Sequence, residues 1–213
     1  LSLVLVGDSI ALQYVLPDIL KDFKQLHREV DISLVQKNSA DTVKMLLKKE
    51  ADLGFLGKHE DVPELVFIPY GTDQQAVITP NHEKYRNLLE NGYSFQELLS
   101  EPFIFSELTD DTEEDEHRFL EEQGVDLSKL HVAAKIHDKE IIKRSVSMGM
   151  GIAVMPLKAV EEEAKRGKLL IFHLDPGKAE RTLYLAFRKE DAEQSPILEL
   201  TALCRKYNGR ERL

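Results

Sequence analysis

Polar side chains stand where predicted helices begin, directly after predicted strands. The set consists of Asp8 with Ser9, Asn38 with Ser39, Asp111 with Thr112, and His137 with Asp138. Side-chain oxygens at such positions accept hydrogen bonds from backbone N–H groups of the first helical turn, and the remaining N–H groups can bind polar groups of a ligand. Any one pair is explained equally well as a helix cap. Because the pattern recurs, we interpret the set as contacts to a small molecule.

His137 beside Asp138 could also indicate acid–base chemistry or a pH switch, because imidazole titrates near neutral pH. No serine or cysteine is placed by the sequence to complete a nucleophilic set, so we predict no catalytic residue. The other histidines that we considered lack the spacing of metal ligands. They are His59, His117, His131 and His173.

Two further motifs could be mistaken for ligand-binding signatures. The acidic run at residues 110–116 lacks the glycine and the spaced ligands of an EF-hand loop, and a solvated helix face explains it better. Gly149 and Gly151 follow a predicted helix and precede a strand, which is the reverse of the dinucleotide-binding order. We therefore predict no metal and no cofactor, and we expect these glycines to end a helix and to permit a close backbone approach.

Strand-like and helix-like segments alternate along the chain, which predicts an α/β fold with a mainly parallel sheet. Ser9 is expected to cap a helix that Pro17 kinks or restarts. Residues 71–73 are predicted to form a loop between a strand at 65–68 and another at 76–79. Ser94 and Glu97 spell a capping box. Residues 30–34 alternate as a half-buried strand does, with Leu34 facing inward.

Composition excludes several classes of protein. The chain has 213 residues and a formal net charge of −10, so this segment is expected to bind nucleic acid poorly. Its apolar runs are far shorter than the roughly 20 residues that span a bilayer. Cys204 is the single cysteine, which favours a reducing cytoplasm. No export signal opens the chain, which starts inside a predicted strand, and we expect it to be part of a longer protein.

Several motifs in a fixed order resemble the effector-binding domain of LysR-type transcriptional regulators. They are GDS at residues 7–9, LPDILKDF at 16–23, ADLGF at 51–55, PFI at 102–104 and VSMGMGIAVMP at 146–156. Each motif alone is weak, but their order and spacing cover essentially the whole chain. The winged helix-turn-helix that precedes this domain in the family has no counterpart in these residues.

The resemblance implies a type 2 periplasmic-binding-protein fold, in which two Rossmann-like lobes are joined by two hinge crossovers. Residues 1–75 and 180–213 would form the first lobe and residues 76–179 the second, with a small-molecule effector between them. It also implies a cytoplasmic homodimer that pairs through the first helix and the second strand, a tetramer at full length, and DNA binding through the missing domain. Ile10, Tyr14 and Val15 could serve the pairing, although core packing is the better explanation for them.

Charge predicts the class of effector. Where many family members have Ser-Gly-Thr before the helix of the second lobe, this chain has Asp110, Asp111 and Thr112. Together with Asp8 and Asp138, these carboxylates would repel an anion, so we hypothesise a neutral, zwitterionic or cationic effector. The nearby basic groups could offset this charge. They are Lys37, Lys135 and His137.

Two other functions remain open at this point. A solute-binding protein of a transport system shares the fold but ordinarily works as a monomer. A metabolic enzyme on the same two lobes would need a convergent acid–base set, and the sequence offers none that we recognise.

Overall fold

The computed structural model describes residues 1–107, 111–174 and 180–211, apart from the side chains of 111–115 and 208–211. Contacts divide the chain into two compact units, of which unit 1 comprises Leu1–Asp73 and Arg181–Leu213, and unit 2 comprises Gln74–Glu180. The chain thus leaves unit 1 once and returns to it once.

Strands of the described residues are numbered along the chain. They are β1 (Ser2–Gly7), β2 (Asp31–Gln36), β3 (Leu53–Leu56), β4 (Leu65–Pro80), β5 (Phe103–Ser106), β6 (Val132–Ile136), β7 (Ala153–Pro156), β8 (Leu169–His173) and β9 (Glu180–Arg188). The α-helices are α1 (Leu16–Leu26), α2 (Ser39–Leu47), α3 (Glu83–Asn91), α4 (Phe95–Leu99), α5 (Asp111–Glu122), α6 (Lys139–Ser147), α7 (Glu161–Lys165) and α8 (Ser195–Glu211).

Unit 1 is built on the strand order β2-β1-β3-β9, with β4 beside β9. Strand β1 pairs in parallel with β2 and β3, whereas β9 runs antiparallel to β3. Leu5, Phe23, Phe55 and Tyr70 are buried in its core, where α1 and α8 pack on the sheet. Burying each such side chain contributes about 1.5–3 kcal/mol, so this core provides much of the stability of the unit.

Arg188 ties separate parts of unit 1 together. Its guanidinium is nearly buried, donates to the carbonyls of Leu46 (2.8 Å) and Ala51 (2.6 Å), and lies 2.5 Å from the Asp191 carboxylate. These carbonyls lie in the last turn of α2 and just before β3, so one side chain bridges the two ends of the α2–β3 connection. The end of β9 is thereby fixed to the α2–β3 connection.

Unit 2 contains the second half of β4, which pairs antiparallel with β7 and β8, and the parallel pair β5–β6. Its core is aromatic, and the ring of Tyr93 meets that of Phe172 edge to face at 4.7 Å. Ser94 and Glu97 form the predicted capping box at the start of α4, which confirms that prediction.

The expectation of a mainly parallel sheet was wrong. Pairs β3–β9, β4–β7 and β4–β8 are antiparallel, so the seven-stranded sheet is mixed, whereas the β5–β6 pair is parallel. The loop predicted at residues 71–73 is also absent, because β4 continues without a break from Leu65 to Pro80. Strand β4 is hydrogen-bonded to β9 in the sheet, and this tertiary pairing outweighs the turn preference of Gly71 and Asp73.

The first helix departs from its expected start. Asp8 Oδ1, rather than Ser9, accepts the hydrogen bond from Ala11 N, at 2.9 Å. A π-helical turn, Ala11–Val15, precedes α1, and Pro17 lies in the first turn of α1. Because proline has no N–H to continue the helical ladder, the helix restarts there, as predicted.

The burial of three apolar side chains tests predictions made from the sequence. Ile10 and Val15 are fully buried, so they pack in the core and cannot form a subunit interface. Leu34, expected to face inward, is 45% exposed on β2. Leu34 is exposed because β2 is an edge strand, with a neighbouring strand on one side only.

Gly149 and Gly151 have the roles that their order predicted. Gly149 has φ +88° and donates to Val146 O at 2.9 Å, so it ends α6 in the left-handed region. A Cβ on Gly151 would lie 2.5 Å from the carbonyl oxygen of Pro102. The same carbonyl accepts from Ile152 N at 2.8 Å, so the backbone cannot easily move away.

We therefore expect Gly151→Ala to destabilise the domain by about 1–3 kcal/mol, because the new methyl group overpacks a backbone contact. This corresponds to a fall in Tm of roughly 2–10 °C for a chain of this size, measured by thermal unfolding. Met150→Ala is the matched control, since Met150 is half exposed next to it. Equal Tm values for the two variants would contradict this account.

Candidate functional site

Two of the predicted polar pairs lie at one edge of the sheet in unit 1. Asp8 and Ser9 follow β1, and Asn38 and Ser39 follow β2, which is parallel to β1. The carboxyl ends of these strands meet at the same edge, where Lys37 N donates to Gly7 O at 2.9 Å. Ligands of open α/β sheets bind outside this kind of edge. The structure thus brings these two pairs onto neighbouring strand ends.

Each pair contributes one helix cap and one buried hydroxyl. Asn38 Oδ1 accepts from Asp41 N at 2.8 Å, so Asn38 caps α2 and Ser39 is the first residue of that helix. Ser9 and Ser39 are almost completely buried, as is Asp8. The caps therefore pair some of the free backbone N–H groups in the first turn of each helix. The positive end of each helix dipole faces the same edge of the sheet.

Arg181 is a residue of this site that the sequence did not reveal. Its Nη2 lies 3.6 Å from Asp8 Oδ2, and both side chains are largely buried. A Cβ on Gly57 would collide with Arg181 Nη1, so any other residue there would displace the guanidinium. Arg181 is separated from Asp8 by most of the chain, and no local motif marks it. Only the tertiary fold brings the two charges together.

Tyr70 lies in the same electrostatic neighbourhood. Burial raises the pKa of its hydroxyl well above the usual value, the Asp8 carboxylate raises it further, and Arg181 lowers it. The buried Asp73 carboxylate also raises the pKa of the Tyr70 hydroxyl. Two acids and one guanidinium therefore surround a neutral phenol.

In unit 2 the site residues gather around Glu107, which the sequence analysis did not single out. His137 Nδ1 lies 2.7 Å from Glu107 O, and His137 Nε2 lies 3.2 Å from a Glu107 carboxylate oxygen. Lys135 Nζ approaches the other carboxylate oxygen at 3.2 Å. Asp138 Oδ1 accepts from Ile141 N at 2.9 Å and caps α6, as predicted. Two of the basic groups expected to offset the acidic charge are thus paired with one carboxylate.

The remaining predicted pair is only partly described. Asp111 and Thr112 belong to the backbone of α5, but their side chains lie outside the described residues, as does Asp110 altogether. Asp8, Ser9, Asn38 and Ser39 belong to unit 1, and His137 and Asp138 to unit 2. The structure therefore leaves the predicted effector contacts as two separate sets of described residues.

The described residues offer polar recognition groups at strand ends, and within them no group of three or more His, Cys, Asp or Glu residues could hold a metal ion. Among the helices of that same part of the chain, none is long and apolar enough to cross a membrane. Cys204 is buried in unit 1, and burial raises the pKa of its thiol to about 12. The thiol therefore stays protonated at neutral pH.

With this geometry established, comparison with known proteins decides the family. The model of the LysR substrate binding domain matches residues 2–208. The chain belongs to this family. The resemblance inferred from the motifs is thereby confirmed, and the chain is an effector-binding domain of the LysR type.

Curated relatives of this LysR domain are transcriptional regulators. It is 25% identical to the HTH-type transcriptional activator CmpR of Synechocystis sp. over 90% of this chain and 60% of that protein. It is 22% identical to the HTH-type transcriptional regulator CysL of Bacillus subtilis over 89% of this chain and 59% of that protein. The chain therefore spans about three fifths of the length of these relatives.

Solved structures confirm the fold of the LysR domain. The BenM effector-binding domain with its effector benzoate matches with a TM-score of 0.80 at 16% identity, over 99% of this chain and 93% of that one. The cofactor-binding domain of the Cbl transcriptional regulator matches with a TM-score of 0.77 at 19% identity, over 99% of this chain and 92% of that one. These likenesses establish the type 2 periplasmic-binding-protein fold predicted from the motifs.

The Asp8–Arg181 pair generates a stability prediction. Asp8→Ala removes the cap of the first helical segment and leaves a largely buried guanidinium without its carboxylate, so we expect a loss of about 2–4 kcal/mol in the free energy of unfolding. Urea unfolding followed by far-UV circular dichroism measures it. Asp18→Ala is the control, because Asp18 is exposed in the first turn of α1 and its loss costs at most about 1 kcal/mol. Similar losses in the two variants would argue against a structural role for the pair.

Proposed function

We propose that this LysR domain senses a small-molecule effector and transmits its binding to a DNA-binding domain that lies outside these residues. The observation that carries the proposal is the set of polar side chains and helix starts at the carboxyl ends of β1, β2 and β6. The proposed contacts are Asp8, Ser9, Asn38, Ser39, Asp111, Thr112, His137 and Asp138. Binding rather than catalysis is the proposed activity.

The two lobes of the proposed sensor are residues 1–75 with 180–213, and residues 76–179. An effector that contacts both lobes would favour one arrangement of the lobes over another, and its differential affinity would set how far the equilibrium moves. Support comes from neighbours, because BenM's domain is described with its effector benzoate and Cbl's domain as cofactor-binding. A protein that regulates transcription works where the DNA is, so we propose a cytoplasmic location.

For the effector we propose a neutral, zwitterionic or cationic molecule. Asp8 and Asp138 supply carboxylates at the strand ends, and Asp110 and Asp111 add to the acidic charge of the chain. Arg181 and Lys135 reduce the repulsion that an anion would meet, but each already has a carboxylate as its partner. A ligand with a free positive charge or with balanced charges therefore meets the least electrostatic cost.

Effector binding is tested by thermal shift of this chain against amino acids, amines, organic acids, sulfur compounds and inorganic anions. A ligand at 100 times its Kd stabilises the folded state by about 2.7 kcal/mol, which corresponds to a Tm rise of roughly 5–10 °C. We expect the hits to carry a positive or balanced charge and their shift to shrink in Ser9→Ala and Thr112→Ala.

The control for these variants is Ser100→Ala, since Ser100 is an exposed serine of unit 2. A tight hit among sulfate or dicarboxylates, with no response to amines or zwitterions, would overturn the proposed effector charge. If a ligand raises the Tm of the Ser9→Ala, Thr112→Ala and Ser100→Ala variants equally, Ser9 and Thr112 are not contact residues.

We also propose that the domain forms a homodimer through α1 and β2, and a tetramer at full length. Leu34 is 45% exposed on β2, and Leu26 is 68% exposed at the end of α1. Strand β2 ends the strand order of its sheet, so its outer backbone groups are open to a partner. An exposed apolar residue on such a strand is favourable when a second copy covers it.

We expect Leu34→Lys to convert a dimer into a monomer, because the buried charge would face its own copy across a two-fold interface. Sedimentation velocity measures the change. Leu89→Lys is the control, since Leu89 is similarly exposed on α3 of unit 2. A wild-type chain that remains monomeric at high concentration would contradict the dimer and favour a solute-binding protein.

A further inference from the structure

A cavity of about 340 Å³ lies within unit 2, on the face of the β5–β6 pair that α5 covers. Phe105 is paired with Lys135 across the two strands, and Phe103 with Val132, so these side chains share one face. His117 of α5 and the turn at Leu127 form the other walls. The volume falls in the range of pockets that hold small molecules.

The lining of this cavity is largely apolar. Phe105 forms its floor, and its ring meets the His117 ring edge to face at 5.5 Å. Val132 is 41% exposed beside it, and Leu127 is half-buried. An exposed branched side chain next to an aromatic floor gains free energy when an apolar group covers it. The cavity therefore favours a ligand with an apolar part.

Two charged groups of the lining lie side by side, whereas His117 and Ser128 supply polar groups on the other walls. Lys135 Nζ and a Glu107 carboxylate oxygen lie 3.2 Å apart, with the two side chains 61% and 34% exposed. Ser106, which also lines the cavity, is 4% exposed, and within the described part of the chain its hydroxyl has no hydrogen-bond partner.

This arrangement selects a zwitterion. A single anion would face the Glu107 carboxylate, and a single cation would face the Lys135 ammonium. A ligand carrying both charges can align them antiparallel to the Lys135–Glu107 pair and satisfy each group. The protein pair is worth little by itself because it is exposed to solvent, so its rearrangement around a ligand costs little.

We propose that this cavity binds a small zwitterion of the α-amino-acid type with an apolar side chain. Its carboxylate lies at Lys135, its ammonium at Glu107, and its side chain covers Phe105 and Val132. The site lies within unit 2 and does not depend on the proposed effector contacts at the strand ends. Glu107 connects it to one of them, because the same carboxylate also lies 3.2 Å from His137.

The experiment is an NMR titration of the 213-residue chain with three related probes. They are L-leucine, 3-methylbutylamine, which lacks the carboxylate, and 4-methylpentanoate, which lacks the ammonium. We expect leucine to shift resonances of Phe105, Leu127 and Val132 with a Kd on the order of 1 mM, as befits a ligand of this size. Each single-charge analogue should bind about 10-fold more weakly, because it loses one charge-assisted contact.

Variants locate the binding. Lys135→Gln and Val132→Trp should each weaken leucine binding about 10-fold or more, through loss of a charge and through filling of the cavity. Lys129→Gln is the matched control, because Lys129 is 82% exposed, pairs with Asp126 and does not line the cavity. A thermal unfolding curve for each variant separates loss of binding from loss of folding.

The proposal is overturned if leucine shifts none of the cavity resonances, if either analogue binds as tightly as leucine, or if Lys135→Gln binds as well as Lys129→Gln. Ser9→Ala separates it from the proposed effector site. Leucine binding that survives Ser9→Ala and is lost in Lys135→Gln supports the cavity, whether or not the effector proposal holds. Leucine binding lost only in Ser9→Ala assigns the ligand to the strand ends and contradicts the cavity.

Discussion

Parallel pairing of β1 with β2 and β3 is the constraint on which the unit 1 site depends. Parallel strands end at one edge of a sheet, so the residues that follow β1 and β2 must lie beside one another. Asp8 and Asn38 both use this position to cap the helices that follow. The caps direct the helix starts toward the same edge, and the polar character of the edge follows from topology before any particular side chain is considered.

The Asp8–Arg181 pair extends this edge in a way that parallel pairing alone does not provide. Strand β9 returns from the far end of the sequence and runs antiparallel to β3, which brings Arg181 to Asp8. The absence of a side chain at Gly57 leaves the space for the guanidinium. A buried carboxylate that caps a helix and also faces a guanidinium is held by two attractive interactions, which offsets its loss of hydration. These two interactions hold the Asp8 carboxylate at the carboxyl end of β1.

Local signals in the sequence predicted those parts of the fold that depend on neighbouring residues. The capping box of Ser94 and Glu97, the cap at Asp138 and the glycine end of α6 all arise from hydrogen bonds within a few positions. The continuity of β4 through Gly71 and Asp73 did not follow from local preference, because β9 supplies the pairing. Arg181 and Glu107 were missed for the same reason, since their partners are distant in the sequence. A residue with two roles is harder still to identify from a sequence. Asp8, rather than the expected Ser9, caps the first helical segment and also pairs with Arg181.

Glu107 has a comparable double role in unit 2, where it would couple the proposed cavity to the proposed contact at His137. Its carboxylate contacts Lys135, which lines the cavity, and His137, which follows β6. A ligand that takes the carboxylate away from Lys135 changes the electrostatic environment of His137, and a ligand at His137 changes the charge available to the cavity. Linkage requires that each affects the affinity for the other by the same factor. One half-buried carboxylate thus lies between the two ligand sites that we propose for unit 2.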